Sequence, residues 1–350
     1  MNYALITIDT EAWHGDRPID RLVWGETSEG RYGIEYMIAL FDSLGVKALF
    51  FVDFAECCDY GNEEMLAVAR YIKAKGHGVG VHLHPDHILD KKREFLYQYT
   101  KDEQRFLLQY VTEKYREALD EQPLHFRAGK YAANNDTLEL LEEFGYKYEY
   151  SQFYGRNWCA IDPPITADAT CRHRSYYEIP VTSFCACDTP FFRRIDKIDM
   201  EMSPHVFRKV VKKFVDSNNN QILSLFGHSF SFIRNRYSED MNKLAFDASM
   251  AKRFKRDIEY VRELPGLTIV SPKQIEDLFS DGAFDHNVAN EKPTVTFTNL
   301  FDIAYYFYAT AWRIKSFNRK SRLLLVSSLF LLMLVIVLVV LIFCVYGGLV

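Results

Sequence analysis

The sequence predicts an α/β fold of parallel βα units, closed into a barrel or laid out as an open sheet, with a C-terminal transmembrane helix. Three observations carry this. Short apolar strands alternate with amphipathic helical periods over roughly the first 280 residues, without an internal repeat. Polar, chemistry-bearing residues gather where the strands end. Finally, Leu323 to Val345 is an apolar run without a charge, long enough to cross a ~30 Å hydrocarbon core.

Taken in order, Tyr3–Asp9 reads as the first strand, followed by a polar loop, Thr10–Gly30, that holds Trp13, His14 and Trp24. Ile34, Met37, Ile38, Phe41 and Leu44 recur at helical spacing and stop at Gly45. Lys47–Asp53 is a strand, and Glu63–Lys75 a helix stopped by Gly76. His77–Val81 alternates as a strand and runs into His82, His84 and His87, three histidines within six residues. Side chains two apart on a strand share a face, so His82 and His84 converge; Pro85 ends the strand, and His87 sits in the turn beyond.

A longer helix spans about Asp102 to Leu119. Leu124–Phe126 is a strand leading into Arg127, Asn134–Phe144 a helix, and Tyr146–Ser151 a strand. Gln152–Arg174 is irregular. Tyr176–Val181 reads as a strand and the following stretch, rich in Cys, Pro and Phe, as a loop. Pro204–Val215 is a helix and Gln221–Phe226 a strand that ends at Gly227-His228. A helix at about Glu239–Arg262, a strand at Leu267–Val270 and a helix at Pro272–Phe279 complete the pattern.

These elements divide the chain into a catalytic domain (1–280), a polar linker (281–298), an aromatic and basic juxtamembrane segment (299–322) and a transmembrane helix (323–346). The helical 299–312 either lies along a membrane interface through its rings or packs against the main domain. Arg313, Lys315, Arg319, Lys320 and Arg322 precede the apolar run and no charge follows it. The positive-inside rule then puts the N-terminal domain in the cytoplasm on a C-terminal anchor.

A net charge of −5 offers no electrostatic footprint for nucleic acid. The 22 Tyr and 27 Phe suit a large core and a surface that stacks on sugars. The seven cysteines contain no CxxC; Cys185 and Cys187 form a CxC, a weak metal signal, and reduced cysteines are the expectation. Chemistry gathers at four strand ends: Asp9 with Glu11, His82 to His87, Arg127, and His228. In a barrel of parallel strands such ends open onto one face. Clustered imidazoles are donors for a divalent ion such as zinc.

The stretches ITIDTE, GVKALFFVDFAE, GHGVGVHLHPDH, FRAGKYAANNDTLELLEEFGY and ILSLFGHSFSF occur in an order and spacing that resembles the polysaccharide deacetylases, carbohydrate esterase family 4. The resemblance covers roughly residues 3–279. It implies a distorted (β/α) barrel of about seven strands and hydrolysis of an N-acyl group on an amino sugar with one divalent metal ion, often zinc. By position, Asp9 matches the catalytic base, Arg127 the arginine that pairs with it, and His228 the general acid. Tyr131 lies near the oxyanion-binding backbone. His82 matches the first metal-ligating histidine. The family's second aspartate is Thr10 here, which leaves Glu11 as the nearest carboxylate. The family's second histidine falls at Asp86, so His84 and His87 compete for that role, with strand geometry favouring His84. A cytoplasmic, membrane-tethered deacylase points to a lipid-linked or nucleotide-linked amino sugar. A deacylase of a non-sugar amide and a non-catalytic sugar-binding protein of the same fold are the other readings.

Overall fold

A computed structural model of the protein describes residues 1–12 and 17–313. Trp13, His14 and the apolar run Leu323–Val345 lie outside the described residues. Within them, no helix is long and apolar enough to cross a membrane.

The centre is β1, Asn2–Thr10, whose residues are nearly all buried. Apolar on both faces and flanked on both edges, it has the character of an inner strand of a parallel sheet. On one edge lies Ile222–His228, in register from Tyr3 opposite Ile222 to Asp9 opposite His228. On the other edge, Leu267–Ile269 pairs with the start of β1 and β2, Leu49–Asp53, with its end. The sheet continues in parallel through β3 (Gly78–Leu83), β4 (His125–Ala128) and β5 (Tyr148–Glu149). It ends in an antiparallel pair, β6 (Cys171–His173) and β7 (Tyr176–Glu178), with β7 parallel to β5. Seven strands thus run parallel in one path, which matches the curled sheet of a (β/α) barrel.

No backbone ladder joins β7 to Ile222–His228 at the barrel seam. There Thr170 and Thr182 accept hydrogen bonds through their hydroxyls from the amides of Ile222 (3.2 Å) and Ser224 (2.9 Å), and Phe226 O accepts from Met200 N–H at 3.0 Å.

Helices cover the outside, each with a local reason for its ends. In α1, Ile34–Ser43, the buried Ile34, Met37, Ile38 and Phe41 form the inner stripe. Asn62–Ala74 forms α2. Lys101–Leu119, α3, opens on a capping box of Thr100 and Glu103 and closes on Asp120 in the left-handed region. Asn134 caps α4, Asn135–Glu143. Later come α5, Pro204–Ser217, α6, Ala248–Glu263, and α7, Pro272–Ser280, the last capped by Ser271.

Three stretches differ from expectation. The Cys/Pro/Phe-rich loop is an antiparallel hairpin, β8 (Ser183–Asp188) and β9 (Arg193–Lys197), with a bulge between Cys185 and Cys187. Helix α6 starts at Ala248 because Asp247 caps it, while Ala245–Phe246 pairs with Ile233–Arg234. The stretch expected as a linker is packed: Val295–Thr296 pairs with β8, and the Asn290 side-chain oxygen Oδ1 accepts from the amides of Ala167, Asp168 and Ala169. The next helix, α8 (Leu300–Arg313), rests on the domain through the buried Tyr306, which meets Phe184 edge to face; Phe301 stays exposed. Packing, rather than an interfacial helix, describes its inner face.

Candidate active site

The register of the ladders sets the site. Asp9 stands opposite His228 on one side of β1; Asp53 stands opposite His82, and His82 opposite Arg127. All lie at the C-terminal ends of parallel strands, so their side chains open on one rim. Asp9, Glu11, His82, His84 and His228 line a common cleft of about 320 Å³, with Tyr131, Lys197 and Phe226 among its other walls.

Asp9 and Arg127 form the buried base of this cleft. Arg127, 1% exposed, donates from Nη1 to Asp9 Oδ1 at 2.6 Å and from Nη2 to Thr7 Oγ1 at 3.1 Å. Its guanidinium lies over the Phe51 ring at 4.2 Å. Burial pushes the Asp9 carboxyl up, but the charge of Arg127, helped by His82 and His228, holds it below the ordinary value. The second oxygen, Oδ2, is 3.9 Å from His82 Nε2.

Glu11 gathers the imidazoles. Its Oε2 lies 2.9 Å from His84 Nε2 and 3.2 Å from His82 Nε2, and its Oε1 lies 3.9 Å from His228 Nε2. His84 follows β3 but keeps extended torsions (φ −98°, ψ 107°), so the alternation of the strand carries past its end. Burial raises the Glu11 carboxyl, yet the two imidazoles hold it well below its usual range. Burial lowers His84, and the Glu11 charge overrides that, bringing it up to about 9.

The Glu11–His82–His84 group fits a divalent ion. One donor atom from each lies within 4.8 Å of the others, and two imidazoles with one carboxylate are a borderline-soft donor set. His82 Nδ1 is 2.9 Å from the Arg127 carbonyl. That contact requires the proton on Nδ1 and leaves the Nε2 lone pair facing Glu11 and His84. His84 is set by Gly129: a Cβ there would come within 2.7 Å of the imidazole Cγ. Only glycine leaves that space.

His228 is a ring stacked on Phe230 and edge-on to Phe226. Its amide donates to Ser231 Oγ at 3.1 Å, and Ser231 donates to Glu201 at 2.7 Å. Burial lowers its pKa, against the opposing pull of Glu11 and Asp9.

Among solved structures, the chain is similar to a protein from Mycobacterium smegmatis provisionally described as a polysaccharide deacetylase. The two are 19% identical over 85% of this chain and 95% of that one, with a TM-score of 0.52. The chain has the fold of the polysaccharide deacetylases. Weaker likenesses are to an allantoinase (12% identity, 80% and 90% covered, TM-score 0.46) and to a family 4 carbohydrate esterase from Streptomyces lividans (11%, 76% and 90%, TM-score 0.41). No family model matches the sequence, and no curated protein does.

Within this deacetylase fold the sequence-derived residues divide. Asp9, Glu11, His82, His84, Arg127 and His228 come together. His87 is drawn off by the helical turn Pro85–His87 and places Nδ1 2.8 Å from Asp59, although its ring still borders the cleft. Cys185 and Cys187 are buried at the hairpin bulge and belong to no metal-binding group among the described residues. Lys197 is the residue the sequence reading missed. It ends β9 inside the cleft and donates to Tyr131 OH at 2.7 Å, and burial pushes its ammonium down to about 8. The alternation across β9, with Ile195 buried and Lys197 two positions on, was its signal. Lys130 and Tyr131 both hold positive φ (54° and 59°), a strained pair of residues at the rim.

Proposed function

We propose that this protein hydrolyses an N-acyl group, an acetyl group by preference, from an amino sugar in a metal-dependent reaction. One juxtaposition carries the reading: a carboxylate clamped by a buried arginine and an imidazole on aromatic rings share one cleft with a three-donor group suited to a divalent ion. A sugar-binding protein has no use for the first two together.

A zinc-type ion held by Glu11, His82 and His84 would polarise the acyl oxygen and make water more acidic. Arg127 occupies Asp9 Oδ1 and keeps the carboxylate charged, so Oδ2 is the oxygen that takes the proton of the attacking water. As the C–N bond breaks, His228 gives a proton to the departing amine nitrogen, which leaves poorly without one. Lys197, tied to Tyr131, places a positive charge in the cleft near the developing oxyanion.

The apolar run Leu323–Val345 and the basic cluster before it support a tether with the domain on the cytoplasmic side. A lipid-linked or nucleotide-linked amino sugar is the substrate that meets it there, and tethering raises its effective concentration.

The test is turnover of N-acetylated and O-acetylated amino sugars, with metal content measured in parallel. Asp9→Asn keeps its metal and loses most activity. His228→Ala keeps its metal and loses on the order of 10²–10⁴-fold on the amide, less on the ester, whose alkoxide leaves more readily. A fully active Asp9→Asn, or equal losses on both substrates in His228→Ala, would show the roles to be misassigned. A wild type that holds metal yet turns over neither nucleotide-linked nor lipid-linked substrates would favour the binding-protein reading.

A further inference from the structure

A second cluster borders the same cleft. Asp53 ends β2, Glu56 lies in the turn after it, and His87 lies in the turn after β3. Carboxylate oxygens of Asp53 and Glu56 and a ring nitrogen of His87 fall within 4.8 Å of one another, all three residues buried. Asp53 Oδ1 accepts from the amides of Ala55 (3.0 Å) and His84 (3.4 Å), and Glu56 Oε1 accepts from the amide of Ala12. The other oxygen of each, Asp53 Oδ2 and Glu56 Oε2, is buried with no hydrogen-bond partner. Both side chains are completely enclosed, and among the described residues no lysine or arginine pairs with either.

A protein does not keep two adjacent, enclosed carboxylates uncompensated. Either they share a proton, or a cation sits between them. His87 decides between the two solutions. Its Nδ1 is fixed by Asp59 at 2.8 Å, the carboxylate–histidine arrangement that orients a metal-ligating imidazole. A shared proton needs no such imidazole beside it. With two carboxylates and one nitrogen the donor set is harder than the Glu11–His82–His84 set, and hard sets suit ions of the Mn²⁺ type.

We propose that Asp53, Glu56 and His87 form a second divalent-cation site, for a hard ion such as Mn²⁺, on the wall of the same cleft. Asp53 also bonds the His84 amide, so an ion there steadies the backbone that carries His84. The site stands on its own geometry and does not depend on the deacylase reading.

Equilibrium dialysis of the full chain against Mn²⁺, with bound ion counted by elemental analysis, tests it. The wild type is expected to take two ions. Glu56→Gln keeps the bond from Ala12 and is expected to take one, as is Asp53→Asn; His84→Ala also takes one, by losing the other site. Asp59→Asn leaves the ligands in place and weakens the second ion roughly 10–100-fold, the usual effect of removing an imidazole's outer partner. Circular dichroism of each variant confirms its fold. A wild type that takes a single ion, or two ions both kept by Glu56→Gln and Asp53→Asn, overturns the proposal and leaves the shared proton as the explanation.

Discussion

Removing the charge of Arg127 is the sharpest perturbation of the buried base. Arg127→Met keeps length and apolar packing over Phe51 but strands Asp9, which is 5% exposed and 2.6 Å from the lost guanidinium. Breaking one side of a buried ion pair costs about 3–5 kcal/mol, because the remaining charge has no counterpart. In a domain of this size that is a fall in Tm of roughly 5–8 °C. The loss depends on pH in a fixed direction. In the wild type the Asp9 pKa is below its unfolded value, so its contribution is present above about 3.8 and is lost as pH falls through the folded value. In Arg127→Met the largest charge opposing burial is gone and only His82 and His228 still pull the Asp9 carboxyl down, so the folded pKa rises and ionised Asp9 contributes less stability as pH rises. The gap between the two proteins therefore widens from acid to neutral pH. Urea denaturation at several pH values measures it, with Asp9→Asn and the double variant completing a cycle. Asp9→Asn with Arg127→Met should recover most of the loss, since an isosteric neutral pair often costs nothing. If Arg127→Met costs less than about 1 kcal/mol, or as much with Asn at position 9 as with Asp, the pair is not the buried electrostatic unit described above.

Gly129→Ala should keep the fold and lower metal affinity, because the new methyl falls on the His84 ring; unchanged affinity would mean that the ring has another resting place. The pH–rate profile should be a bell displaced to the acid side, since Asp9 ionises below its ordinary value and burial makes His228 lose its proton below 6.5; a descending limb that survives in His228→Ala would remove His228 as the acid. Protease added to intact cells should leave residues 1–322 uncut, and cleavage of the domain from outside would reverse the topology assigned from the basic cluster.

The parallel architecture was legible because inner strands and amphipathic helices carry different periods, and Gly45, Gly76 and Gly145 mark where helices stop. The pairing of His82 with His84 followed from strand alternation alone, and the torsions of His84 show why it extends past the strand. His87 could not be placed so, because a helical turn after Pro85 redirects it towards Asp59, a partner 28 residues away in sequence. Lys197 was hidden by the hairpin that presents it. A bulge at Cys185–Cys187 breaks the alternation of β8, and the hairpin's turn, with Pro190, Phe191 and Phe192, reads as loop. The packing of 281–298 depends on single side chains such as Asn290, which leave no periodic signal.

Thr7, Asp9 and Glu11 occupy alternate positions at the end of β1 and just past it, and each holds a different part of the cleft: the anchor of Arg127, its charge partner, and the gatherer of the imidazoles. Chemistry here is thus read out in a two-residue frame, locked by the ladders that fix Asp9 opposite His228 and Phe51. A single-residue deletion before Thr7 that keeps the later pairing would leave that frame intact. The same deletion between Thr7 and Asp9 would turn one part of the set to the opposite face. Such a change cannot trade one function gradually for another. It breaks the arginine clamp along with the cleft, so length in this strand is held as firmly as residue identity.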